Sequence, residues 1–363
     1  MANTKLPPEL VDDQVFGNRN VIINGEMQVA QRGTQTGMGA STAFTAVDRM
    51  NIAFSQTSGR VTSEQSTDTP DGFANSVKLS CTTADTSLAS AEYVIFRQKI
   101  EGFNLQRFAK GTSSAKEFTV SFYVKGNASA TYNCELYDAD NTRQINKQFA
   151  VTTSWNRIEL TFPADTTGAF DNDANASLFV QIWLAAGSGF QGTTANTTWS
   201  SVTDNTKRAN GSSNFLSSTS NTFFITGFQL ETGSQATPFE HRSIGEQLAL
   251  CQRYYVELTS DQQTNPIMNC GYYNTTAIYG AIIFPTEMRT EPTMEQTAGT
   301  DFFRVYSTGA EDKFTGFNAI HSVTPQRVVI AAVSTQGISG TQSAAGWVET
   351  RSTAARLAFT AEL

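Results

Sequence analysis

The sequence predicts an all-β protein: an N-terminal jelly-roll β-sandwich, a short connecting helix and a smaller C-terminal β domain. Three observations predict it. Short runs rich in β-branched and aromatic residues recur with near-alternation, as half-buried strands require. Clusters of Gly, Ser, Asn, Asp and Thr separate them, such as PDGFAN, DTTGAFDNDANAS and GSGFQGTTANTT, which is turn and loop chemistry. Charged residues make up only 16% of the 363, while uncharged hydrogen-bonding residues are abundant, a balance typical of β proteins more than of helical enzymes.

The elements follow in order. Residues 1–20 combine Pro7-Pro8 with acidic residues and little apolar content, which predicts an extended N-terminal arm. NVIINGEMQVAQRGT (20–34) alternates well enough for a strand, with Asn24-Gly25 as a bend or bulge. The runs SVKLSCT (76–82), AEYVIFRQKI (91–100), EFTVSFYVKG (117–126) and ATYNCELYD (130–138) each predict a strand. RIELTFP (157–163), SLFVQIWLAA (177–186) and TFFITGFQLE (222–231) do the same. Together they fill a sandwich over 21–242, most simply an antiparallel jelly roll. SIGEQLALCQRYY follows, with Ser243 as N-cap and Glu246 three positions on, the spacing of a capping box, and predicts a helix over 243–256. Its residues Leu248, Cys251 and Tyr255 share a face. AIYGAIIFP, FFRVYSTG, QRVVIAAVS and RLAFTAEL then predict a second β domain over 257–363.

Composition excludes several functions. The net charge is −8 and no run of Lys or Arg occurs, so nucleic acid is not an expected partner. MANTKLPPELVDDQVFGNRN has no apolar stretch behind a basic start, and no window approaches the roughly 18 apolar residues of a membrane span. Neither Sec export nor membrane insertion is expected. The four cysteines, Cys81, Cys134, Cys251 and Cys270, form no CxxC pair and predict buried free thiols rather than a zinc site.

Candidate chemistry is sparse. Glu240, His241 and Arg242 stand together, but consecutive residues of an extended segment point in alternating directions, so the triplet reads as a joint rather than a catalytic cluster. No GxSxG motif occurs. Asp171, Asp173 and Asn175 alternate like the start of a calcium loop, yet Ala176 replaces the glycine and no Glu follows at the twelfth position. No catalytic residue, metal or cofactor is therefore expected. Sugar binding by a sandwich needs exposed aromatic platforms beside hydrogen-bonding groups. The candidates are Trp199 in TTANTTWSSVTDN, Phe190 in the loop before it, and Trp347 in SAAGWVETR. Trp155 and Trp183, at or within apolar strands, read as structural.

Several segments carry a resemblance when taken as a set. VIINGEMQVAQRGT, VDRM at 47–50, FRQKIEGFNLQRFAKG, FTVSFYVKG, VTTSWNRIELTFP, FITGFQLETGSQATPFEHR and LALCQRYY occur in that order between residues 21 and 255. The sequence resembles bacteriophage virion proteins of the tail-fibre, carbohydrate-binding-module-like kind found among marine phages. The resemblance implies a jelly roll similar to carbohydrate-binding modules, in a non-enzymatic, homotrimeric fibre subunit located in the virion. It also implies other virion proteins of tail or capsid as partners, and attachment to a host-surface glycan. The apolar face of 248–255 is consistent with packing around a trimer axis. Carbohydrate-binding jelly rolls often hold calcium between first and last strands. Here Glu26 and Gln28 face Thr226 and Gly227 in that role, without an acidic ligand on the last strand. Two other roles are open: a capsid head fibre or decoration protein docked by its N-terminal arm, and a glycan depolymerase, although the repeats of a β-helical tailspike are absent.

Overall fold

The computed structural model describes residues 18–192, 196–203, 205–259 and 263–363, so the predicted arm lies outside the described residues apart from 18–20. The chain divides into two compact units that part between Gln247 and Leu248.

The first unit contributes β1 (Gln35–Met38), β2 (Ala43–Phe44), β3 (Asn51–Ser55), β4 (Arg60–Ser66), β5 (Ser76–Thr83), β6 (Tyr93–Glu101) and β7 (Phe118–Gly126). It continues with β8 (Ala130–Asp138), β9 (Arg143–Val151), β10 (Asn156–Phe162), β11 (Ala176–Ala186), β12 (Ser200–Ser201) and β13 (Thr222–Thr232). One sheet has the order β1-β4-β5-β13-β7-β10 and the other β12-β9-β8-β11-β6-β3-β2. The described pairings are antiparallel, and the chain passes repeatedly from one sheet to the other, as in a jelly roll.

Period-two alternation decides which side chains face inward. On β11 Leu178, Val180, Ile182 and Leu184 enter the core, as do Tyr132, Cys134 and Leu136 of β8 and Val94, Phe96 and Ile100 of β6. From the opposite sheet come Phe118, Val120, Phe122 and Val124 of β7. The register of β13 against β7 shifts between Thr226 and Gln229, a bulge built on Gly227 with φ of 62°, where a Cβ would lie 2.8 Å from the Phe73 ring.

The stretch VIINGEMQVAQRGT departs from expectation. Residues 21–34 form a buried turn and loop rather than a strand. Asn24 and Met27 have φ of 59° and 58°, which breaks the extended path. Side chains take over the backbone bonds that a neighbouring strand would make: Ile22 N donates to Asn20, Ile23 N to Gln98, Asn24 N to Gln247 and Val29 N to Asn24, each at 2.8–3.0 Å. Gly25 sits against β13, with Phe228 N bonded to its carbonyl at 2.8 Å, and a Cβ there would stand 2.1 Å from the Phe228 oxygen. Gly25→Ala is therefore expected to cost about 3 kcal/mol, the upper range of overpacking, read as a lowered denaturant midpoint.

A buried ion cluster crosses this unit. Lys110 Nζ lies 2.5 Å from Asp138 and 3.2 Å from Asp165, and bonds the Thr167 and Gly168 carbonyls at 2.8 and 2.7 Å. Arg143 grips Asp165 with both Nε and a terminal nitrogen, at 2.8 and 3.0 Å. Burial pushes the Asp165 carboxyl up, but Arg143, the Thr167 N–H and Lys110 outweigh it and leave it below the ordinary value. Asp68, Asp85 and Glu240 of the same unit are also depressed. A depressed carboxyl stabilises the fold above the unfolded value, 3.8 for Asp, and the gain is lost as pH falls through the folded value. Asp138, raised by burial, works in the opposite sense and is outnumbered. Urea midpoints are thus expected to fall steadily from pH 5 to about pH 2; a flat or rising profile would contradict this.

Between strands lies α1 (Ile244–Gln252). Ser243 Oγ accepts from Glu246 N at 3.3 Å, as the capping-box spacing anticipates. The helix is shorter than predicted, because the backbone turns at 253–254 and Tyr255 opens a strand. Cys251, Tyr254 and Tyr255 are buried, while Leu248 and Leu250 are half-buried.

The second unit holds β14 (Tyr255–Glu257), β15 (Pro266–Asn274), β16 (Ala277–Ile283), β17 (Thr293–Thr297) and β18 (Phe303–Ser307). Then come β19 (Ala310–Phe314), β20 (Ala319–Thr324), β21 (Arg327–Val333), β22 (Ala345–Thr350) and β23 (Arg356–Thr360). A three-stranded sheet, β14-β23-β17, and a seven-stranded sheet, β19-β18-β22-β15-β16-β21-β20, share one core around Ile278, Phe303, Val348 and Phe359. All four cysteines are free and buried; burial pushes the Cys270 thiol up to about 11, which keeps it unreactive.

Candidate functional site

The alternation that fills the core leaves β6, β8 and β11 with a second set of side chains on the outer face of the seven-stranded sheet of the first unit. Their register builds a row across four strands: Glu135 on β8 stands opposite Gln181 on β11, Gln181 opposite Arg97 on β6, and Arg97 opposite Asn51 on β3. On one side of the row Tyr137 pairs with Phe179, and on the other Trp183 pairs with Ile95. Polar groups thus run between an aromatic pair and a Trp–Ile pair, a direct product of register.

Glu135 anchors the row. Its carboxylate is fully buried and accepts from Arg208 Nε at 2.7 Å, a second Arg208 nitrogen at 3.2 Å and Trp183 Nε1 at 2.7 Å, and also from the Gln181 amide. Burial alone would lower the Arg208 guanidinium, but the Glu135 charge and hydrogen bond hold it above its ordinary value. Because Glu135 only accepts, the Gln181 NH2 must face it, which leaves Gln181 Oε1 buried without a hydrogen-bond partner. Arg208 lies over Tyr137 and Trp183 at 5.0 and 5.2 Å, and Arg97 over Phe179 at 5.2 Å. Burial lowers Arg97, and the nearby Arg208 charge adds to this against the opposing pull of Tyr93 and Glu135.

These groups line an open cleft of about 160 Å³, bounded by Tyr93, Ile95, Arg97, Tyr137, Phe179, Gln181, Trp183, Phe190 and Arg208. Phe190 closes one rim, edge-on to Tyr93 at 5.4 Å and tilted against Trp183 at 5.2 Å. The loop that carries it is tied down by Gly187 N to Glu92 O at 2.7 Å and Ala209 N to Phe190 O at 2.9 Å. A larger hollow of about 370 Å³ opens beside Asn127, Tyr132, Asn214 and Asn221. The amide nitrogens of its asparagines bond Asn221 Oδ1, Asp85 O and Phe215 O, and it carries no charged lining residue, so it offers less to a ligand.

The three candidate aromatics therefore part company. Phe190 is in the cleft. Trp199 is not brought to it: its indole packs on the core against Phe118, 5.6 Å away, and donates Nε1 to Pro163 O at 2.8 Å, because Asn196 and Ser200–Ser201 on either side of it are held against β9. Trp347 lies on the second unit, 47% exposed, stacked on Tyr306 at 5.3 Å. Trp183, read from sequence as structural, is fully buried yet belongs to the outer face, where its N–H orients Glu135. Tyr93, Arg97, Tyr137, Phe179, Gln181 and Arg208 are not among the candidates read from the sequence; outward positions on β6, β8 and β11 are the signal for the first five, whereas Arg208 comes from a loop and has no such signal.

In the Glu240-His241-Arg242 triplet, Arg242 bonds Glu240 at 3.3 Å and the two meet at Asn20, while His241 is tied to Glu26. Glu240 accepts the Arg19 and Asn20 amides at 3.1 and 2.8 Å, His241 Nδ1 lies 2.9 Å from Glu26, and Arg242 bonds the Asn20 carbonyl. The three do not converge on a point. Among the described residues no group of three or more His, Cys, Asp or Glu is placed to hold a metal, and no helix is long and apolar enough to cross a membrane.

A scan against protein-family models finds no match, and a search of curated proteins finds none either. Solved structures do show likenesses. A family 4 carbohydrate-binding module shares 14% identity over 58% of this chain and 98% of its own, with a TM-score of 0.30. A family 61 module in complex with β-1,4-galactotriose shares 10% over 59% and 99%, at 0.29. The N-terminal tandem pair of family 22 modules of Paenibacillus barcinonensis Xyn10C shares 9% over 95% and 98%, also at 0.29. At these scores the likenesses carry no argument about a ligand, and the functional reading rests on the geometry of the cleft.

Proposed function

We propose that the first unit is a glycan-binding domain and that the outer face of its seven-stranded sheet is the binding surface. The observation that carries this is the polar row Glu135, Gln181 and Arg97 laid between the Tyr137–Phe179 and Trp183–Ile95 pairs on one sheet face. A sugar ring has an apolar C–H face and a rim of hydroxyls, so it needs a flat ring beneath it and donors and acceptors at its edge. Tyr137, Phe179 and Phe190 supply rings, Arg97 supplies donors and Gln181 an acceptor. No lining residue is a carboxylate, and Glu135 beneath them is committed to Arg208, Trp183 and Gln181. Glycoside cleavage uses a pair of carboxyl groups flanking the bond, so this arrangement supports binding without catalysis.

The setting follows from the sequence resemblance: a non-enzymatic, homotrimeric subunit of a phage particle that attaches to a host-surface glycan. Several copies in one particle would multiply weak individual contacts. Affinity electrophoresis of the full chain through a panel of polysaccharides tests the binding. At least one polysaccharide is expected to retard it, and Phe190→Ala and Tyr137→Ala to weaken that retardation roughly tenfold each at unchanged near-ultraviolet dichroism. Retardation that survives both and disappears in Trp347→Ala would move the site to the second unit.

A further inference from the structure

Resting on that reading of the cleft, we infer that its occupant is an acidic sugar, a uronic acid or a sulfated residue, whose oxyanion is received by Arg97. The lining holds two guanidinium groups and no carboxylate. One negative charge lies below it, on Glu135, and the paired hydrogen bonds from Arg208 show where that charge is used. Arg97 is left as the surplus cation: its Nε bonds a neutral amide oxygen, Asn51 Oδ1, at 3.0 Å, and no carboxylate among the described residues lies within ion-pair distance of it.

Position makes this charge useful. Arg97 and Gln181 are direct register partners, so a guanidinium without a carboxylate partner and an unpaired acceptor stand side by side at the floor of the cleft. The guanidinium also lies over the Phe179 ring at 5.2 Å, which holds the fork in place beside the cleft. A planar fork matches carboxylate and sulfate oxygens and binds neutral hydroxyls less strongly. The cleft volume of about 160 Å³ accommodates a small group, well short of the roughly 300 Å³ at which ligand pockets begin, so one charged sugar unit is held while its chain continues over the open face. A nucleic-acid backbone is a poor alternative occupant, because the chain as a whole carries −8 and no basic run.

Isothermal titration of the full chain with an oligogalacturonate, its carboxyl-reduced counterpart and a sulfated galactan oligosaccharide tests the inference. Carboxyl reduction removes the charge and keeps the ring. At least one acidic ligand is expected to bind about tenfold more tightly than the reduced one, and whichever of carboxylate or sulfate binds better identifies the natural group. Arg97→Gln is expected to bring that ratio near one while leaving the reduced ligand bound, and Arg97→Lys to keep part of the preference. Equal binding of acidic and reduced ligands by the natural chain overturns the inference and leaves the glycan reading standing. Failure to bind any of these and every member of the polysaccharide panel overturns both.

Discussion

Replacing Glu135 with alanine is expected to destabilise the first unit by about 3–5 kcal/mol, the cost of breaking a buried ion pair from one side. The carboxylate is fully buried and is the acceptor for Arg208, Trp183 and Gln181 together. Alanine strands a guanidinium that is itself mostly enclosed, and leaves two further donors without a partner. Glu135→Gln keeps the shape and one oxygen acceptor and is expected to cost less, about half as much, since the charge and one acceptor are lost. Denaturant unfolding followed by tryptophan fluorescence measures both. Equal costs for Ala and Gln would mean that charge pairing with Arg208 is not what the site depends on.

The second large effect belongs to Lys110. Its ammonium is fully buried between Asp138 and Asp165, whose side chains are 0% and 5% exposed. Lys110→Ala leaves two carboxylates facing each other with Arg143 as the remaining cation, and is expected to cost about 3–5 kcal/mol. The triple replacement Lys110→Met, Asp138→Leu, Asp165→Leu removes the three most buried charges, leaves the partly exposed Arg143 without its carboxylate, and is expected to recover part of the loss, because burying the ions was itself costly. A triple variant as unstable as Lys110→Ala would show that the cluster stabilises by the Lys110 hydrogen bonds to the 167–168 backbone, which methionine does not replace.

Both clusters illustrate what sequence displays and what it conceals. The strands over 76–82, 91–100, 117–126 and 130–138 are legible because apolar and polar residues alternate with the pleat. So is the start of α1, since Ser243 and Glu246 are local to one turn. Glu135 and Arg208 are 73 positions apart, and their meeting depends on strand order, which alternation does not encode. Trp183 was hidden for a different reason: ASLFVQIWLAA is apolar on both faces, because loop residues Phe190 and Ala209 cover its outer side. VIINGEMQVAQRGT imitated a strand because buried asparagine and glutamine side chains serve its backbone as a neighbouring strand would. Phe190, a loop aromatic near strands, lies in the cleft, whereas Trp199, with the same kind of flanking residues, is drawn onto the core by Phe118 and Pro163.

A crystal structure of the full chain with the oligosaccharide that titrates most tightly tests the central claim most directly. The account predicts sugar density over Tyr137 and Phe179, with an acidic group against Arg97 and a ring edge near Phe190. Density confined to Trp347 and Tyr306, or to the hollow beside Asn127 and Asn221, would contradict it.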